Sequence, residues 1–225
     1  MELEQTKSAY LKSGEFFDPD YGRENELLSA FKAANRSLSE SDANALREIL
    51  NSNANWNEKH FVADILYLYP DFPEALVDPM LHCAVTYQDP SFDRIFLRPC
   101  LRRIGVSAVV DKLIDVLVRG SVVERMGITQ LAYWIPRPPM EHNGSSWQPI
   151  EQPRTDEALL VLRKAMADQV TKTTNPVELY YYKLVMDKSL PQFAGIPDDA
   201  KGLTDLVKGK PELEDLLFNQ LGWQR

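Results

Sequence analysis

Arg94, Arg98 and Arg102 recur every fourth residue, which places three guanidinium groups on one face of a helix. Guanidinium pairs bidentately with carboxylate or phosphate, so this stripe can receive an acidic segment or a phosphate-bearing ligand. Asp111 and Asp115 repeat the same spacing on the following run and offer a competing outcome, a ladder of ion pairs between neighbouring helices. Charged helix faces are most often solvated or paired in this way, so the ladder is the expected outcome. His60 and Asp64 also share a face, with His82 one run further on, and these are metal-ligand types. No Cys-x-x-Cys or His-Glu-x-x-His pattern accompanies them, so a surface hydrogen bond is expected and a metal is not. His82 and Cys83 form no dyad, because adjacent helical positions point about 100° apart.

Two further candidates lie in a proline-rich stretch. Met140-Glu141-His142 brings acid–base groups together, although a loop histidine is usually only solvated. Trp147 stands where no helix is expected to bury it, either as a binding anchor or as a plug holding the stretch in place. The chain has no glycine-rich phosphate loop and no Gly-x-Ser-x-Gly elbow. The candidate binding residues are therefore Arg94, Arg98, Arg102, Trp147 and His142, with no catalytic residue, no metal site and no cofactor expected.

The elements that must position these residues read as helices throughout. One spans about Arg23 to Asn35 with Leu27, Leu28 and Phe31 on a face, and Ser39-x-x-Asp42 starts the next. Asn57 is the expected cap of a helix to Tyr69, Pro73 reopens one, and Asp78-Pro79 kinks or restarts it. Three runs follow, Pro90–Ile104, Ser107–Arg119 and Ser121–Trp134, punctuated by Gly105 and Gly120. From Arg137 to Arg154, prolines, Gly144 and serines leave no regular element, a length more often functional or mobile than incidental. Helices resume from Thr155 to Val170, from Asn175 (with Glu178 completing a capping box) to about Lys188, and over Pro197–Lys208 and Pro211–Leu221. No strand is expected. Residues 1–21 read as a loosely ordered N-terminal segment, and 22–225 as one α-helical repeat-like domain.

A net charge of −8 and a pI near 5.0 argue against a general nucleic-acid binder, which needs a basic footprint. The same charge suits a basic protein partner. No apolar run reaches membrane-spanning length and Met1-Glu2-Leu3-Glu4 is acidic, so a cytoplasmic chain without a membrane partner is expected. Cys83 and Cys100 read as reduced core thiols.

Residues 57–134 resemble HEAT-type repeats. Asp89-Pro90 opens one run, Arg94 falls seven residues before Leu101, and Ile104-Gly105 closes it. In the other, Val123 and Gly127 lie eight and four residues before Leu131, which is thirty residues after Leu101. Leu97, Asp93 and Arg125 depart from the pattern. The resemblance implies an all-α fold, an irregular right-handed array of antiparallel helical hairpins forming a HEAT-like α-solenoid. It also implies a non-enzymatic protein-binding module or adaptor. The alternative is a helical enzyme or small-ligand-binding domain using the Arg94/Arg98/Arg102 stripe and the 136–154 loop.

Overall fold

The computed structural model describes residues 2–14, 25–87, 89, 93–135 and 157–224, and the backbone of 140–142 and 147–149. Among the described residues the chain is almost wholly helical. In order the helices are α1 (Leu3–Ser13), α2 (Glu26–Ala34), α3 (Glu40–Asn51), α4 (Trp56–Leu68), α5 (Val77–Thr86), α6 (Asp93–Arg119) and α7 (Val122–Trp134). They continue with α8 (Glu157–Val170), α9 (Pro176–Val185), α10 (Ala200–Val207) and α11 (Pro211–Glu214), which runs on as a π-helical stretch, Asp215–Gln220. No helix among the described residues is long and apolar enough to cross a membrane.

Two expectations are corrected. The Arg137–Arg154 stretch contains a short antiparallel ladder, β1 (Met140–His142) and β2 (Trp147–Pro149), with His142 opposite Trp147. Its prolines do not forbid it, because Pro149 sits at the strand end, where a missing N–H costs little. Asn143-Gly144 between the strands is itself a hairpin sequence. At the other end of the chain, residues expected to be loosely ordered form α1, which buries Leu3, Thr6 and Tyr10. The Tyr10 hydroxyl donates to the Asp64 carboxylate at 2.6 Å, and its ring lies 5.3 Å from that of Phe61.

Helix starts follow the side chains that can satisfy orphan backbone N–H groups. Ser39 with Asp42 and Ser121 with Glu124 form complete reciprocal caps. Asn55 rather than Asn57 caps α4, accepting from the Glu58 N–H at 3.1 Å. Gly105 adopts φ +81°, which only glycine holds without strain, and interrupts α6 where the sequence places a stop.

The chain divides into two compact units. The first comprises Met1–Ala84, Arg94–Gly105 and Pro136–Thr155; the second comprises Val85–Asp93, Val106–Ile135 and Asp156–Arg225. In the first, Leu28, Phe31, Leu46, Phe61, Ile65, Leu66, Met80 and Phe96 are buried. In the second, Met126, Val177, Tyr180, Tyr181, Leu203, Val207 and Leu217 form a core cluster. The thirty-residue pair of leucines is therefore buried in two cores, Leu101 in the first unit and Leu131 in the second.

Within the second unit, α7 meets the backbone at the end of α5. A Cβ on Gly127 would stand 1.8 Å from the Val85 carbonyl oxygen. The small residue expected at this position is thus a steric requirement, set by backbone that no rotamer change can move. Gly127→Ala should lower the urea-unfolding free energy by about 3 kcal/mol, at the upper end of overpacking costs. A change under about 0.5 kcal/mol would show that α5 and α7 yield freely.

Candidate functional site

The first unit does not present the arginines of α6 as a solvated stripe. Arg94 and Arg98 are 5% and 9% exposed. Arg102 is exposed, but Nη1 donates to the Tyr67 carbonyl at 2.8 Å and the guanidinium lies 4.4 Å from the Tyr67 ring centroid. Arg103 Nε donates to the Phe72 carbonyl at 2.6 Å. Tyr67 lies in the last turn of α4, where carbonyls lack helical partners and a cation is favoured. Arg102 and Arg103 thus serve the end of one helix and the turn beyond it. In the second unit, Asp115 is engaged by Arg119 one turn along the same helix, at 2.9 Å.

His60 and Asp64 do share a face of α4, and both are buried rather than forming a surface pair. The His60 ring lies 5.5 Å from that of Phe96, and Asp64 accepts from Tyr10. Burial first, and the Asp64 charge second, push the Tyr10 hydroxyl well above its ordinary range. His82 is exposed and Cys83 buried, as neighbouring helical positions require. Burial raises the Cys83 thiol to about 11, with Lys59 opposing, so it is protonated near neutrality and a poor nucleophile. Among the described residues no three His, Cys, Asp or Glu side chains gather as a metal ion would need. The backbone of Glu141, His142 and Trp147 lies in the β1–β2 ladder, while their side chains lie outside the described residues.

The second unit contains a charged pair that spacing alone did not reveal. Arg125 Nε and Nη2 donate to the two oxygens of Glu178 at 2.7 and 3.1 Å, and Nη1 donates to the Gly120 carbonyl at 2.8 Å. Thr173 Oγ1 also donates to Glu178, whose side chain is 1% exposed. The glutamate read as the return arm of a capping box therefore bonds α7 and the preceding turn instead. Lys183, also buried, donates to the Ile196 carbonyl and pairs with Asp198 at 3.1 Å. Burial raises Tyr181 and Tyr182 as well.

These bonds orient the helices of this unit. Gln169, near the end of α8, donates to the Leu117 carbonyl at 2.9 Å, close to the turn that Arg125 binds. α8 therefore arrives at the end from which α7 and α9 depart. The far end carries the exposed apolar side chains Tyr133, Leu160, Val161, Leu184 and Val185. Leu160 is 65% exposed and Leu184 53%, while Leu159, Leu162 and Met166 on the other side of α8 are buried. What these five side chains offer a partner is apolar contact.

Two measurements check this account. Arg125→Ala should destabilise by about 3 kcal/mol, because Glu178 is left buried without its countercharge, whereas Arg125→Met with Glu178→Leu should recover most of the loss. Equal losses in the single and double variants would show that the charges are not coupled. For Tyr10, the folded state keeps a proton that the unfolded chain releases near pH 10, so its contribution is complete below that pH and declines as pH rises. Unfolding free energies between about pH 10 and 11.5 should fall less steeply in Tyr10→Phe, by about 1.4 kcal/mol per pH unit. Parallel slopes would mean the hydroxyl titrates normally in the fold.

No family model, no curated protein and no solved structure matches this chain, so its function must be argued from its own residues.

Proposed function

We propose that this chain is a non-enzymatic protein-binding module, built on a HEAT-like helical-repeat scaffold of antiparallel hairpins. The single observation that carries this reading is the exposure of Tyr133, Leu160, Val161, Leu184 and Val185 near the ends of α7, α8 and α9, the apolar rim of the second unit. Large exposed aliphatic side chains on helices are what protein partners bury. The titratable groups support the same reading, since Asp64, Glu178, Lys183 and Cys83 are buried and hydrogen-bonded rather than open to a substrate. The HEAT-like spacing adds the expectation of a scaffold. With a net charge of −8, the fitting occupant is an apolar segment flanked by basic side chains. Nothing in the burial of Arg94 and Arg98 favours the ligand-binding alternative built on the arginine stripe.

The test is quantitative capture of partners from the native host with wild type and with Leu160→Glu/Leu184→Glu, each shown folded by circular dichroism. A specific partner should be lost at least about tenfold in the variant and should be released by salt. Undiminished capture by the variant overturns the assignment of the surface. Sedimentation that shows a wild-type dimer and a monomeric variant would mean that a second copy occupies the rim, and would overturn the foreign partner.

A further inference from the structure

A cleft of about 190 Å³ lies in the first unit, between the end of α2 and the turns after α4, and no residue of the apolar rim lines it. Its wall includes Lys32, Arg36, Leu38, Tyr69, Asp71 and Phe72. Lys32 is in the last turn of α2, and its ammonium stands 3.7 Å from the Tyr69 ring centroid. A lysine there is ordinary, since it complements the helix dipole. Arg36 has no such explanation, because it lies beyond the helix end in the Asn35–Leu38 connection and still faces the same cleft. Neither cation has a carboxylate within ion-pair distance among the described residues, in a chain that carries eight more acidic than basic groups.

The walls are held before any ligand arrives. The Tyr69 hydroxyl donates to the Asn35 carbonyl at 2.8 Å, fixing the connection that carries Arg36. The Phe72 N–H donates to the Tyr69 carbonyl at 3.0 Å, the Leu76 N–H to that of Pro73 at 3.0 Å, and Arg103 holds the Phe72 carbonyl. Pro70 and Pro73 restrict the same turn. Two cations on one wall, Lys32 placed over the Tyr69 ring and Arg36 carried by the anchored connection, favour a compact, multiply charged anion over a single carboxylate. Arginine matches the oxygens of a tetrahedral anion bidentately, and lysine acts as a point charge. The volume corresponds to roughly six waters, enough for one such group and part of its shell. Asp71 on the same wall repels an anion, so its charge is a contribution that a variant can remove.

We propose that this cleft is a binding site for a phosphate group, carried either as the free ion or on a small organic molecule. Isothermal titration calorimetry of the full chain at fixed ionic strength should detect saturable binding of inorganic phosphate, of phenyl phosphate, or of both. A free-phosphate site takes both equally, whereas a site for an organic phosphate takes phenyl phosphate more tightly, through Leu38 and Phe72. Binding should weaken at least about tenfold in Lys32→Met and in Arg36→Met. Asp71→Asn should tighten it about threefold or more, a change independent of how the two cation variants fold. No saturable heat up to about 10 mM of either compound overturns the proposal. So does binding that is indifferent to Lys32, Arg36 and Asp71, which would mean adventitious association elsewhere. Leu160→Glu/Leu184→Glu should leave this binding unchanged, so failure here and failure of the protein-binding surface are separately visible.

Discussion

Every helix leaves backbone donors and acceptors unpaired at its ends, and a chain made almost entirely of short helices carries that cost many times over. Here side chains supply the missing partners. Asn25, Ser39, Asn55, Ser121, Asn175 and Asp199 accept from the first turns of α2, α3, α4, α7, α9 and α10. Arg102 and Arg103 do the reverse for carbonyls at the end of α4 and the turn after it, and Arg125 does so for Gly120. Arg102, whose spacing suggested a ligand site, is thereby committed to backbone.

The same economy governs the buried acids and bases. Asp64 receives the Tyr10 hydroxyl, Glu178 receives two bonds from Arg125 and one from Thr173, and Lys183 is held by Ile196 and Asp198. Buried polar groups are costly alone and specific when paired, because only one arrangement of helices brings the partners together. Such pairs tell α1 where to dock and α7 where to lie on α9. Groups so engaged are poorly placed to exchange protons with a substrate. The two proposed recognition sites draw on side chains outside these pairs, the exposed apolar residues of the second unit and the Lys32 and Arg36 cations of the first.

The candidate site was only partly legible for a related reason. Helical spacing correctly put Arg94, Arg98 and Arg102 on one element, yet period alone does not say which face meets a core when apolar residues surround the charges on both sides. Arg94 and Arg98 went inward, and long side chains can do so by burying their stems and hydrogen-bonding their heads. Arg125 looked like a misplaced repeat residue and Glu178 like an ordinary cap. Their partnership spans 53 residues, a separation at which no local pattern operates. The exposed leucines of α8 and α9 carried no warning either, since an apolar residue in a helix reads as core until its neighbours are known.

What the amino-acid sequence determined by itself was local. Caps, glycine stops and 3.6-residue periods marked the helices, with Ser39, Ser121 and Gly105 acting where they stand, because each works through backbone groups a few residues away. Gly127 belongs here too: a small residue at a fixed spacing foretold a close approach, although not that Val85 would be its neighbour. Tertiary structure alone decided which of these helices share a core, placing Leu101 in one unit and Leu131 in another despite their matching sequence context. It also made a docked helix of Leu3–Ser13, whose weak periodicity gains meaning only when Tyr10 meets Asp64 and Phe61. The physical reason is the same in each case: burial free energy depends on which surface is met, and that is a property of the assembled chain rather than of any segment of it.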